Sequence, residues 1–391
     1  MVLGGIDKDG NSCFNILSEM CLKSSGKLLM IDPKINLRVD KNTPIEVYRL
    51  GSELTKAGLG FPQYSNDDIV IPALEKLGYS HEDAVNYVVA ACWEFIIPKY
   101  GYEIVNLGAL NFPKVVIDTV NDSLENAASF DEFMKKVDVA IKKEAEKLTD
   151  LKEVAPFLPS PLYDLLISER RYRNFGFHGT GVASAADSLY AIKEHVFDKK
   201  DVTKERLIDA IKTNFVSDKE LLRVLRYETE KMGNDIDEID NIATRILDDY
   251  ADGFEGKVNA YGGKYRAGTG TAMFYLWHAN DIGATPDGRR KGEPFGTNFS
   301  PNLFAKIDGP VSDIRSFTKQ HFTRCCNGGP LTLEFASSAF NSSDSVNKLA
   351  DLVRYFILRG GHQLQLNAVN AEKMKDAQIH PEKYSQLVVR I

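Results

Sequence analysis

The stretch between residues 331 and 369 constrains the fold more than any other part of the sequence. Residues 331–335 and Gln363–Val369 are short runs of strand character, and residues 344–358 between them carry apolar positions at helical spacing, closed by Gly360-Gly361. A strand, a helix and a second strand in that order make a crossover, so the two strands are expected to run parallel with a right-handed connection. That places the chain in the α/β class.

The 391 residues amount to about two or three domains' worth of chain, yet no linker is long enough to divide them and no internal repeat is present. A 43% apolar share supplies a large core and argues against disorder. The net charge of −7, from 48 basic and 55 acidic residues, argues against broad binding to nucleic acid or anionic membranes. No apolar run approaches the roughly 20 residues that span a bilayer, and residues 1–15 are too polar and Gly-rich for a secretory signal. Cys13, Cys21, Cys92, Cys325 and Cys326 are scattered, without a C-x-x-C pair. That pattern suits free thiols in a cytoplasmic protein rather than a disulfide frame or a zinc knuckle.

Asn66 is expected to cap a helix that runs to Leu77 and stops at Gly78. Ser80 is expected to open a second helix with Ala84, Val85, Val88 and Val89 on its buried side. Ser129 with Glu132, and Ser217 with Glu220, have capping-box spacing and start helices over 130–148 and 217–232, followed by a third over 235–250. From Tyr261 onward, glycines and short apolar runs alternate with loops, and further strands are expected over 271–277 and 387–391. The last run, Leu387-Val388-Val389-Arg390-Ile391, has no turn or polar tail, and the first residues are equally abrupt. Chain ends fray unless tied down. Either both ends pair into a sheet or the 391 residues belong to a longer chain, and we expect the second.

Walker A, H-E-x-x-H and G-x-S-x-G motifs are absent. Gly268-Thr269-Gly270 lacks the third glycine of a dinucleotide fingerprint and is read as a turn. His178, in Phe177-His178-Gly179, is read first as a structural histidine and second as an acid–base group. Arg289-Arg290 sit in a loop and are read as paired rather than anion-binding. Cys92-Trp93-Glu94 is different. Residues two apart do not face each other on a helix, but on an extended segment they point the same way. Pro98 and Gly101 follow closely, so a helix must break here. An extended segment gives a sulfur and a base access to one substrate. The plain alternative is a cysteine that packs as a small hydrophobe.

Six segments in order along nearly the whole chain resemble one family. They are residues 3–19 (LGGIDKDGNSCFNILSE), 90–98 (AACWEFIIP), 174–192 (NFGFHGTGVASAADSLYAI), 283–301 (GATPDGRRKGEPFGTNFSP), 327–335 (NGGPLTLEF) and the tail from 361 to 391. Together they resemble the C-terminal half of a glycyl radical enzyme of the pyruvate formate-lyase-like family. The resemblance implies that residues 1–391 form a single catalytic region, part of a ten-stranded α/β barrel built from two parallel five-stranded halves and wrapped by helices. Two finger loops meet inside such a barrel. One carries the thiyl cysteine, at Cys92 here. The other carries the radical glycine in a motif resembling R-V-x-G-[YW]-S. Arg390-Ile391 begins that motif, and the sequence ends two positions before the glycine. The resemblance therefore leads us to expect an N-terminal half and a radical loop outside these residues, and no activity from the 391 residues alone.

The implied chemistry needs no bound cofactor and no metal. A radical-SAM activating enzyme with an iron–sulfur cluster installs the glycyl radical, Cys92 becomes the thiyl radical, and Glu94 acts as general base on the hydroxyl of a small-molecule substrate. Elimination of water or an amine, or C–C lysis, follows. Trp93 stands where pyruvate formate-lyase has a second cysteine, and Glu94 favours the Cys-x-Glu dehydratase and lyase branch, although Trp93 departs from the valine that several of its members have there. Formate C-acetyltransferase activity and a non-catalytic barrel fragment are the alternatives. The resemblance further implies a homodimer at full length, with no nucleic-acid or membrane partner. Cys325-Cys326 is read as structural.

Overall fold

The computed structural model describes residues 1–30, 32–90, 92–101, 103–150 and 168–384. Its strands, in chain order, are β1 (Val2–Gly4), β2 (Asn36–Val39), β3 (Gln63–Asn66), β4 (Val88–Ala90), β5 (Glu94–Ile96), β6 (Lys99–Gly101), β7 (Ile104–Asn111), β8 (Ser168–Tyr172), β9 (Phe175–Thr180), β10 (Tyr265–Gly268), β11 (Leu331–Ala336) and β12 (Gln363–Val369). The class is α/β, as expected. The chain divides into two compact units, Met1–Val89 with Pro330–Ile391, and Ala90–Gly329. The strand expected at 387–391 lies outside the described residues. Among the described residues no helix is long and apolar enough to cross a membrane.

The first unit is built on a five-stranded sheet in the order β1-β2-β3-β12-β11. β1, β2 and β3 run parallel, β11 and β12 run parallel, and the two groups meet antiparallel where Gln363 faces Ser65. Helix Ser345–Leu358 joins β11 to β12 and buries Leu349, Val353, Phe356 and Ile357, the crossover read from the sequence. Asn66 caps helix Asp67–Leu77 by accepting from the Asp68 amide, and Gly78 ends it at φ +99°. At the start of that helix lies a buried charge. Asp67 Oδ1 accepts from Arg38 Nε at 2.9 Å and from the Tyr87 hydroxyl at 2.6 Å. Its Oδ2 accepts from Arg38 Nη2 at 2.7 Å and from the Ile6 amide at 3.1 Å. The helix expected after Ser80 is only the turn His81–Ala84, and the chain then extends as β4. Val85, Val88 and Val89 are β-branched, and their stiffness favours the pleated form.

The second unit holds a parallel sheet in the order β10-β9-β7, with β9 central. All six residues of β9 are buried, as a strand covered on both faces requires. Alternation sends Phe175, Phe177 and Gly179 to one face and Gly176, His178 and Thr180 to the other. Phe177 stacks on Phe254, with centroids 5.5 Å apart, so one face of β9 is an aromatic core and the opposite face presents His178.

Helix Phe130–Thr149 begins with the expected box. Ser129 Oγ accepts from the Glu132 amide at 3.2 Å, and Glu132 reaches back to the Ala128 amide at 2.9 Å. Helix Asp237–Asp252 also matches its expected span within two residues. Two expectations are corrected. The helix placed over 217–232 spans only Lys219–Tyr227, capped by Asp218 rather than Ser217; the carboxylate one position on accepts from the Leu221 amide at 2.9 Å and moves the start of the helix with it. The strand placed over 271–277 is a loop followed by helix Phe274–Asn280. A short apolar run cannot tell a strand from a buried helix by periodicity. The strand of that region is β10, which begins six residues earlier.

Candidate active site

The chain turns at Cys92-Trp93 and becomes extended only at Glu94, the first residue of β5. The fully extended Cys92–Glu94 segment expected from the spacing is thus corrected. The reason is local. Glu94 folds its carboxylate back along the chain, and Oε2 accepts from the Cys92 amide at 3.0 Å and the Trp93 amide at 2.9 Å. Those two bonds satisfy amides that a turn would otherwise leave unpaired in a buried place. They also tie the carboxylate to the cysteine residue.

The other carboxylate oxygen meets the adjacent strand system. Glu94 Oε1 lies 3.0 Å from His178 Nε2, across 84 residues of sequence. Glu94 is 2% exposed and His178 1% exposed. An ionised carboxylate only accepts, so Nε2 carries the proton and donates. Burial pushes the Glu94 carboxyl up, but the His178 bond and charge and the backbone amides outweigh it, and the net direction is below its ordinary value. Glu94 is therefore a buried carboxylate held in its charged form.

The segment is clamped on its far side. Arg266 of β10 donates from Nη2 to the Phe95 carbonyl at 2.7 Å and from Nη1 to Glu103 at 3.2 Å. Trp93 is buried beneath the loop Asn327-Gly328-Gly329. Gly328 has φ +94°, and a Cβ there would lie 2.3 Å from the Trp93 carbonyl oxygen, so only glycine lets the loop close over the turn. Asn327 ties that loop to the sheet, with its amide donating to the Ala267 carbonyl at 2.8 Å and its side chain to the Val105 carbonyl at 2.6 Å. Gly268-Thr269-Gly270, read as a turn, leaves β10 along the same loop, with the Thr269 amide donating to the Gly328 carbonyl at 2.9 Å.

The other candidates from the sequence lie elsewhere in the chemistry. Cys92 is half-buried, whereas Cys325 and Cys326 are sealed in the core. Burial pushes the Cys326 thiol up to about 11, and Cys325 is pushed up further. Neither is poised to ionise or to exchange with a ligand. Arg289 is fully buried and donates to the carbonyls of Gly283, Arg290 and Glu293, and Arg290 pairs with Glu293, so both arginines are occupied with structure. Among the described residues, one cluster has metal-ligand geometry, Asp235, Asp237 and Asp240. The Lys319 ammonium already sits 2.7–2.8 Å from all three, which supplies their counter-charge.

Sequence reasoning left His178 as a structural histidine, and the structure brings it to Glu94. The signal available was weak: a lone polar ring in a fully apolar strand, whose partner lies far away in sequence.

The family model described as pyruvate formate lyase-like matches residues 1–156 and 162–278, and the one described as glycine radical matches residues 295–391. Among curated proteins, the trans-4-hydroxy-L-proline dehydratase of Clostridioides difficile is 27% identical over 425 residues, covering 99% of this chain and 53% of that protein. The (2S)-3-sulfopropanediol dehydratase of Klebsiella oxytoca is 26% identical over 429 residues, covering 100% of this chain and 52% of that protein. Among solved structures, the glycerol-bound B12-independent glycerol dehydratase from Clostridium butyricum matches with a TM-score of 0.92 at 28% identity, over 100% of this chain and 53% of that one. The chain spans about half the length of the curated relatives it matches.

Proposed function

The chain belongs to the pyruvate formate lyase-like family, and from that membership we propose that it serves a glycyl radical dehydratase or lyase, with Cys92 as the thiyl radical and Glu94 as the general base. The observation that carries this is the carboxylate of Glu94, buried, ionised and bonded to the Cys92 amide at 3.0 Å. Residues 1–391 act as one catalytic region within the barrel of the family. The glycyl radical supplies the oxidant for Cys92 and is installed by a radical-SAM activating enzyme that carries an iron–sulfur cluster. The protein acts as a homodimer in the cytoplasm.

The substrate is a small molecule with a hydroxyl on the reacting carbon and a leaving group on the next. The Cys92 thiyl takes the hydrogen atom from the hydroxyl-bearing carbon, and the sulfur becomes a thiol. Glu94 takes the hydroxyl proton, which makes that carbon an electron-rich ketyl radical. The C–X bond breaks, X departs with the electron pair, and the proton on Glu94 accompanies it as HX. The product radical recovers a hydrogen atom from the Cys92 thiol. The balance is loss of HX and formation of a carbonyl compound, with sulfur and carboxylate restored. A positioned base contributes about 10²–10⁴-fold to such a step. Acetyl transfer of the pyruvate formate-lyase kind needs a second working thiol. Trp93 occupies that position, and Cys325 and Cys326 are sealed away.

The test uses the complete gene product, activated anaerobically and offered glycerol and (2S)-3-sulfopropanediol, the vicinal diols in the relatives' names. Cys92→Ser is expected to abolish turnover, and Glu94→Gln to lose elimination while still exchanging substrate hydrogen through the sulfur. Turnover by Cys92→Ser overturns the thiyl assignment. Unimpaired elimination by Glu94→Gln, with Cys92→Ser inactive, overturns the base assignment.

A further inference from the structure

A carboxylate has about four acceptor positions, two on each oxygen. In Glu94 both positions of Oε2 are taken by the amides of Cys92 and Trp93, and one position of Oε1 by His178. Among the described residues no donor meets the last position of Oε1. If Glu94 is the base, the proton must therefore arrive at the atom that His178 holds.

His178 is itself rigidly mounted. It lies on the central strand of its sheet, in register with Ala109 of β7 and Gly268 of β10. Its carbonyl accepts from the buried Tyr250 hydroxyl at 2.8 Å. Gly270 lies against the ring: a Cβ there would be 3.1 Å from Cε1 and 3.2 Å from Nδ1. Among the described residues the buried Nδ1 meets no hydrogen-bond partner. The contact with an ionised carboxylate requires an N–H on Nε2, so that ring nitrogen is committed to Glu94.

We propose that His178 is the positioning residue for the base: it fixes Oε1 of Glu94 so that the one remaining lone pair of the carboxylate is the one that meets the substrate hydroxyl. The inference rests on the assignment of Glu94 as base and deepens it. A bond from an N–H to a charged carboxylate is about twice as strong as one to a neutral acceptor. Protonation of Oε1 weakens it, so His178 also favours the return of the proton to the departing group. No bond forms or breaks at His178 itself.

The experiment compares His178→Leu and His178→Gln with the parent protein after anaerobic activation in D2O, using whichever of the two diols above is turned over faster. Deuterium in recovered substrate reports hydrogen exchange through Cys92, and product reports elimination. His178→Leu is expected to shift the ratio of elimination to exchange by about 10²-fold toward exchange, the effect of a mis-set reacting group, with the glycyl radical signal unchanged. His178→Gln, whose terminal amide can donate to Oε1, is expected to restore most of the ratio. An unchanged ratio in His178→Leu overturns the inference, and so does equal loss of both processes in the two variants. Exchange that survives Cys92→Ser instead overturns the underlying mechanism. A crystal structure of His178→Leu reads the positioning without substrate: Glu94 Oε1 is expected to leave its place, and an undisturbed carboxylate overturns the inference.

Discussion

Two buried carboxylates, one in each unit, show how the same group is used for opposite ends. Asp67 has all four acceptor positions filled, by two nitrogens of Arg38, the Tyr87 hydroxyl and the Ile6 amide. Glu94 has three filled and one open among the described residues. Asp67 faces a permanent cation and works as a joint between the start of a helix, a strand and the turn after Val85. Glu94 faces an imidazole N–H and two backbone amides. The difference teaches that burial alone does not mark a reactive carboxylate. Under the proposed function, what separates the two is the number of acceptor positions left over.

The comparison breaks most visibly if the two residues are exchanged in role. Glu94→Gln is expected to lower elimination by about 10²–10⁴-fold while costing about 1–3 kcal/mol of stability, because its amide cannot accept from every donor that the carboxylate serves. Asp67→Asn strands the Arg38 charge, and breaking a buried pair in that way costs about 3–5 kcal/mol. Amide exchange across residues 36–39 and 63–87 is expected to accelerate by roughly a hundredfold or more, the same energy read locally. Normal protection in Asp67→Asn, or loss of structure in Glu94→Gln, would contradict the contrast.

An acid titration sharpens it further. The Glu94 carboxyl is held below its ordinary value of 4.5, so the proposed base is charged above that lowered value and is lost only as pH falls through it. The acid limb of kcat/KM attributable to Glu94 is expected below 4.5 in the parent and higher in His178→Leu, where only the amides resist burial. A limb that His178→Leu leaves in place would detach the histidine from the base.

The smallest expected effect comes from Gly270→Ala. The added methyl group would sit 3.1–3.2 Å from the His178 ring and 3.8 Å from Trp93 Cδ1, so the ring must give by a few tenths of an ångström. Turnover is expected to fall by about tenfold or less, well short of the 10² that accompanies a full 1 Å displacement, with the glycyl radical content unchanged. A loss as large as that of His178→Leu would mean that the ring has no slack at all.

What the sequence makes legible here is mostly local. Asn66 and Gly78 bracket a helix because a cap and a left-handed stop act within one turn. Ser129 and Glu132 do the same. The β11–helix–β12 crossover is legible because its three elements are consecutive. The Cys92–Glu94 pair is legible as a spacing, although the turn at Cys92 is not, because it depends on a side chain folding back onto its own backbone. The partnership of Glu94 with His178 has no local trace. It exists because β9 is placed centrally between β7 and β10, a decision made by strand pairing over long sequence separations. The misread run at 271–277 failed for the same reason, since whether a short apolar segment coils or extends is decided by its neighbours in space.

The amides of Cys92 and Trp93 that hold Oε2 belong to the main chain, and this has an evolutionary consequence. No ordinary replacement of the side chain at position 93 removes its donor, and only proline, which has no N–H, would do so. The anchor of the base is thus insulated from drift in the side chains around it. A smaller side chain in place of the tryptophan leaves the same two main-chain donors on the carboxylate.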